Sequence, residues 1–336
     1  MSDQSQPEAS RDGERASDAE RPPVVVLAGP TAAGKPGLSL DFAEAIGAEI
    51  VSADSMQVYR FLDIGTAKPS FAERARVPHH LIDVVNPDVP YNAARYAADA
   101  RAVAAGIHGR GRPVLLVGGT GLYVRAFLEG LVEAGGADPE FRERLERGDR
   151  EARARGDTGW LHRELEKRDP ERARELHPND AVRLVRAIEL SERTGTTAAE
   201  RARAQRAASP FRVLHLAVDP GTDVLDDRID RRCDAMIEAG LLQEVRDLRK
   251  RGYGPELRPL QGIGYRHMHP VVEGSDTLVN AVAAMKLDTR RFARRQRTWL
   301  RALPQVRWFH PADGARILAQ IEAFLAAAAE REESGG

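Results

Sequence analysis

Short apolar runs alternate with longer amphipathic stretches along the first third of this chain. Val24-Val25-Val26-Leu27-Ala28 is continuously apolar and ends in Gly-Pro, the pattern of a strand buried on both faces of a parallel sheet. A helix is predicted over 37–46, a second buried strand over 49–52 and an Ala-rich helix over 92–108. A third apolar run at 113–117 ends in Gly118-Gly119, and 122–128 again has helical spacing. This alternation predicts an α/β sheet with right-handed crossovers. From about 131 the pattern changes. Strand-like runs vanish until 208, and charged helical sequence dominates, as at 141–155 and 181–193, with Gly135-Gly136 predicted as a loop. Residues 211–218 restore a buried strand. Helices are then expected at 225–239, from Gly240 to about 251, and over 277–301, with a short strand at 307–309 and a closing helix at 317–330. The expected organisation is a P-loop-type parallel sheet flanked by helices (22–130 and 209–326), with an all-helical insertion domain at 131–208. Residues 1–21 and 327–336 are expected to be tails.

Composition narrows the classes. The 336 residues carry 50 Lys+Arg against 51 Asp+Glu, and 42% are hydrophobic, which excludes a chain disordered throughout. No apolar run approaches the roughly 18 residues of a membrane span. The polar segment 1–21 lacks the apolar stretch of a signal peptide. Cys233 is the only cysteine, so disulfides and cysteine-built zinc sites are excluded and a reducing cytoplasm is expected. Near-neutrality hides one local excess: residues 286–301 hold Lys286, six Arg and a single acid, Asp288. A helix there would carry a basic stripe suited to nucleic-acid phosphates, its alternative being a solvated helix whose partner acids lie elsewhere.

The sharpest motif is Gly29-Pro30-Thr31-Ala32-Ala33-Gly34-Lys35-Pro36, set between a predicted strand and a predicted helix, which is the context of a phosphate-binding loop. Glycines let backbone N–H groups face an oxyanion, the helix N-terminus adds partial positive charge, and Lys35 adds a full one. Pro36 departs from the motif. A Ser or Thr is expected there to place a hydroxyl on Mg²⁺, and proline removes both that hydroxyl and a phosphate-facing N–H. Thr31 and Ser39 are the hydroxyls that could compensate.

Further motifs follow in order: Asp54-Ser55-Met56-Gln57, then Gly65-Thr66-Ala67-Lys68-Pro69, Pro78-His79-His80, Gly118-Gly119-Thr120-Gly121, Asn179-Asp180 with Arg183 and Arg186, Gln261-Gly262-Ile263-Gly264-Tyr265-Arg266, and 289–301. Asp54 ends a predicted strand, so its carboxylate is expected in the cleft at the sheet's carboxyl edge. The adjacent histidines point apart on an extended backbone and lack a ligand-spaced partner, which favours a structural or substrate-lining role over metal. Lys68 is expected either at the surface or near the cleft, and Trp299 in the core rather than as a stacking platform.

Together these motifs, from about 24 to 309, resemble the tRNA dimethylallyltransferase family. The resemblance implies transfer of a dimethylallyl group from dimethylallyl diphosphate to N6 of the adenosine 3′ of the anticodon, in tRNAs reading codons that begin with U. It implies Asp54 as general base and Thr120 as an adenosine contact. Lys35 and the loop 29–36 would hold the diphosphate, together with Arg228 or Arg232, between which the motif does not choose. Asp54, Ser55, Met56, Gln57, Thr120, Arg183, Arg186, the segment 261–266, Arg294 and Arg295 would meet the anticodon stem-loop, with the helical insertion as a clamp. Mg²⁺ is implied as cofactor, with its loop ligand in doubt at Pro36; a cytoplasmic monomer is expected. The rival readings are a small-metabolite kinase, an adenylate isopentenyltransferase acting on free nucleotides, and an impaired tRNA-binding relative disabled at Pro36.

Overall fold

The computed structural model describes residues 21–131, 138–204 and 209–334. Residues 1–20 of the tail expected over 1–21, and the Gly135-Gly136 loop, lie outside them. The chain forms two compact units, one of residues up to 128 and from 210 onward, the other of Glu129–Ser209.

The first unit begins with β1 (Pro23–Ala28), α1 (Lys35–Ile46), β2 (Glu49–Ala53), α2 (Phe71–Arg76) and β3 (His79–His80). It continues with α3 (Ala93–His108), β4 (Val114–Gly118) and α4 (Gly121–Glu129). The apolar runs become strands because their side chains are covered on both faces: Val24, Val25, Val26 and Leu27 are fully buried, as are Leu115 and Leu116. The two-residue strand β3 was not predicted. It pairs Ile50 with His79 and Val51 with His80, and two residues are too few to show a period.

The second unit holds α5 (Pro139–Ala154), α6 (Trp160–Glu166), α7 (Pro170–Glu175), α8 (Ala181–Thr194) and α9 (Ala198–Ala204). Leu145, Leu161, Leu165, Leu184 and Ile188 form its core, with Phe141 and Trp160 packed against them. Asp138, Asp169 and Asp180 cap three of its helices through side-chain bonds to the N3 amides.

The chain then returns to the first unit with β5 (Arg212–Val218), α10 (Thr222–Glu238), α11 (Leu241–Lys250), a 3₁₀ turn at Arg258–Gln261 and α12 (Tyr265–Glu273). The last elements are α13 (Leu278–Arg301), β6 (Arg307–Phe309) and α14 (Gly314–Ser334). The closing helix therefore runs through 327–334, where a tail was expected; its alanine-rich sequence sustains helix past the last large apolar residue. All six strands are parallel, in the order β3-β2-β4-β1-β5-β6. The loops after β1, β2, β4 and β5 thus emerge side by side at one edge, where ligands of open α/β sheets bind.

Candidate active site

The loop after β1 curves tightly. Ala32 and Gly34 have φ of 63° and 97°, and Gly34 caps α1. Gly29 is obligatory for space as well as angle: a Cβ there would lie 2.5 Å from the Val218 carbonyl oxygen of β5. Lys35 Nζ donates to the Gly29 and Pro30 carbonyls at 2.8 and 2.7 Å, so its charge sits inside the loop. Desolvation, then the neighbouring Arg232 charge, lower its pKa to about 7, with Asp54 pulling the other way.

Arg228 and Arg232 lie one turn apart on α10, and both face this loop. The Arg228 Nη1 donates to Ala33 O at 3.4 Å and lies against Gly34. Arg232 is close enough to Lys35 and Asp54 to shift the first and be shifted by the second. Both arginines left open by the sequence come near the loop, Arg228 against Ala33 and Gly34 and Arg232 toward Lys35 and Asp54.

Asp54 follows β2 and is fixed by its own turn. Its Oδ1 accepts from the Met56 and Gln57 amides at 2.8 and 3.4 Å, which leaves Oδ2 uncommitted. Thr120, after β4, accepts the Ser55 amide on its hydroxyl at 3.1 Å, so the Gly-Gly-Thr-Gly turn holds the aspartate's segment in place. Met56 packs on Gly262, which brings the segments 54–57 and 261–266 together.

Sequence reasoning missed Gln296, on α13. Its Oε1 accepts the Thr31 amide at 2.8 Å and its Nε2 donates to Gly119 O at 2.9 Å. One buried amide therefore ties the loop after β1 to the turn after β4. Gly119 must be glycine because a Cβ there would collide with that Nε2. A lone Gln inside an Arg-rich helix gives no chemical signal; only the fold brings its two partners together. Glu244 was missed for the same reason. Its carboxylate accepts the amides of Asp63, Ile64 and Gly65 and the Tyr265 hydroxyl, and so fixes the loop beyond Gln57.

Several expectations change. The Tyr265 side chain is fully buried against Gly65 and bonded to Glu244, so it supports the segment from within rather than touching RNA. Lys68 is not a surface residue: its side chain is 3% exposed and binds Tyr59 O, Asp63 and Asp83. The histidines serve the sheet, with His80 on Glu49 at 2.7 Å and His79 Nδ1 on Val77 O. The Trp299 ring packs on the backbone of Gly121.

The basic stripe is largely neutralised. Lys286 pairs with Asp234, Arg290 with Asp230, Arg291 with Asp288, and Arg297 with Asp219 at 2.8 Å. Two of these acids come from α10, Asp219 from the turn before it and Asp288 from α13 itself, so much of an excess visible in sequence is cancelled in space. Arg294 stays 64% exposed, only 3.9 Å from Asp226, and among the described residues Arg295 enters no ion pair. In the helical unit, Arg183 is 69% exposed, whereas Arg186 is held by buried Glu189 at 2.6 Å. Arg266 is exposed and donates to Asp288.

Beside Arg232 opens a cavity of about 630 Å³. Its apolar wall is Ile64, Ala67, Ala235, Met236 and Ala239.

The Mg²⁺ implied by the resemblance finds a poor donor set. Pro36 offers no hydroxyl, Ser39 Oγ is buried and donates to Pro36 O at 2.9 Å, and no three His, Cys, Asp or Glu side chains converge among the described residues. Lys35, Arg228 and Arg232 gather at this loop.

A P-loop-type turn, one aspartate and two arginines thus meet at one edge of the sheet. Comparison with known proteins specifies the site. The IPP transferase family model matches residues 57–303. A tRNA dimethylallyltransferase of Desulfatibacillum aliphaticivorans is 46% identical over 307 residues, 90% of this chain and 98% of the relative. The full-length tRNA isopentenylpyrophosphate transferase structure from Bacillus halodurans is 36% identical, with TM-score 0.68, covering 93% of this chain and 99% of that one. A eukaryotic dimethylallyltransferase solved acting on tRNA aligns with TM-score 0.76 at 28% identity, over 91% and 80% of the two chains. The chain belongs to the tRNA dimethylallyltransferase family. Among the described residues, no helix is long and apolar enough to cross a membrane.

Proposed function

We propose that this chain transfers a dimethylallyl group from dimethylallyl diphosphate to N6 of the adenosine 3′ of the anticodon, releasing diphosphate, as a cytoplasmic monomer. The observation that carries this reading is the convergence of the Lys35 loop, Arg228, Arg232, Asp54 and Thr120 at the carboxyl edge of one sheet. The adenine amine is a weak nucleophile because its lone pair is delocalised into the ring. As the N6–C bond forms, the free Oδ2 of Asp54 takes the N6 proton, and the allylic C–O bond breaks with its electron pair passing to the diphosphate. Lys35, the loop amides and the two arginines stabilise that charge. The five-carbon chain extends toward the apolar wall of Ile64, Ala67 and Met236. The target base leaves its stack to reach Asp54, and Arg183, Arg266, Arg294 and Arg295 are the exposed cations offered to tRNA phosphates.

The test is nucleoside mass spectrometry of unmodified tRNA incubated with the protein and dimethylallyl diphosphate. Isopentenyladenosine is expected from the natural chain, and a loss of about 10²–10⁴-fold in Asp54→Ala at unchanged tRNA affinity. Full activity in Asp54→Ala removes the base assignment. Product from Pro36→Thr alone supports the second reading, which rests on Pro36, of an impaired tRNA-binding relative.

A further inference from the structure

We infer that this chain grips diphosphate with arginine, lysine and backbone amides rather than through a loop-held metal ion, so that its diphosphate affinity depends only weakly on Mg²⁺. The inference rests on the reading of the loop 29–36 as a diphosphate cradle.

Three observations lead there. The first is a double loss at one position: Pro36 lacks both the hydroxyl that would ligate a metal and the N–H that would meet a phosphate oxygen. Proline's preset φ suits the first turn of α1, so the fold tolerates it there. The second concerns replacement ligands. Mg²⁺ demands near-octahedral oxygen coordination, with one or two carboxylates besides the substrate phosphates. Ser39 has its hydroxyl turned into the helix, and Asp54 has one oxygen bound to two amides, so a single carboxylate oxygen is the one ligand left to the loop region. The Thr31 segment is pinned through its amide to Gln296.

The third observation is charge. Lys35, Arg228 and Arg232 crowd the N-terminus of α1, the end of a helix that repels cations. Asp54 is the counter-charge acting on Lys35 and Arg232. Such an arrangement destabilises the free protein and becomes favourable when a multiply charged anion joins it. Arg228 lies against Ala33 and Gly34, in the same loop that ends at Pro36. A guanidinium presents five donors in a planar fork that matches phosphate oxygens. Arg228 therefore supplies the donor and the charge that the loop lacks.

The test is calorimetric titration of the full chain with inorganic diphosphate, once in excess EDTA and once in saturating Mg²⁺. The natural chain should bind in both, with dissociation constants within about threefold of each other. Arg228→Gln, which removes the guanidinium and its charge but keeps a polar side chain tolerated in a helix, should weaken binding in EDTA by about tenfold or more, with its helical content unchanged by circular dichroism. Pro36→Thr should tighten binding about fivefold in Mg²⁺ alone. Binding by the natural chain only in Mg²⁺, or a Pro36→Thr response identical to the natural one, overturns the inference and leaves the cradle reading standing. Binding in neither condition overturns the cradle reading and the inference with it.

Discussion

The two units use charge in opposite ways. In the helical unit, charge is spent within the unit. Glu189 is buried, yet Arg142, the Asp138 amide and Arg186 all donate to its carboxylate. Burial alone would raise its pKa; those donors bring it down to about 2. In the α/β unit, the three cations at the loop after β1 face one another with Asp54 as counter-charge, and burial drives the Lys35 pKa down from 10.5 to about 7. A satisfied buried charge marks architecture. A crowded, undercompensated one marks a place that awaits an anion.

The comparison can be broken most directly at Lys35. Lys35→Met should cut transfer about 10²–10³-fold while raising thermal stability. The sign follows from protons: between about pH 7 and 10.5 the unfolded chain holds the lysine proton and the folded chain does not. Natural-chain stability therefore rises with pH across that window, and the rise should vanish in the variant. A Lys35→Met protein less stable than the natural one at pH 7 defeats the contrast.

Glu189→Ala should do the reverse. It should cost the helical unit about 3 kcal/mol by chemical denaturation and leave the diphosphate site intact. With a folded pKa of about 2, that contribution is present above pH 4.5 and is lost as pH falls from there toward 2. An unchanged acid-unfolding midpoint in the variant contradicts the assignment.

Gln296→Met sharpens the picture inside the α/β unit. It keeps the volume and removes both bonds, so kcat should fall about tenfold, the tRNA dissociation constant holding steady. A matching loss in tRNA affinity alone shows that α13 acts only as a docking helix. Arg294→Ala with Arg295→Ala is the mildest: tRNA binding weakens several-fold and its salt slope drops by about 2. A slope that stays put removes these arginines from the footprint.

The strands β1, β4 and β5 were legible because burial on both faces leaves an unbroken apolar run, and Lys35 and Asp54 stood out as candidates because each lies just beyond a predicted strand. The short helices α2, α6 and α7 escaped notice, since one or two turns carry too few apolar positions to show a period. The basic stripe misled for a topological reason: Asp219, Asp226 and Asp230 lie some sixty to eighty residues from their arginines along the chain. Gln296 and Glu244 escaped because most of their partners are backbone groups, which carry no side-chain signature.

The pairing of β1 with β5 has a consequence in time. Gly29 takes its shape against Val218, yet about 190 residues and an entire helical unit are synthesised between them, which at 5–20 residues per second takes roughly 10–40 s. For that interval one long edge of β1 has no neighbour, and the loop that follows it has nothing to lean on. The nascent chain therefore emerges with its most hydrophobic strand half-paired, its helical unit complete first. The exposure grows with the time spent between the two strands, so a chaperone that covers this edge should raise the yield of folded protein.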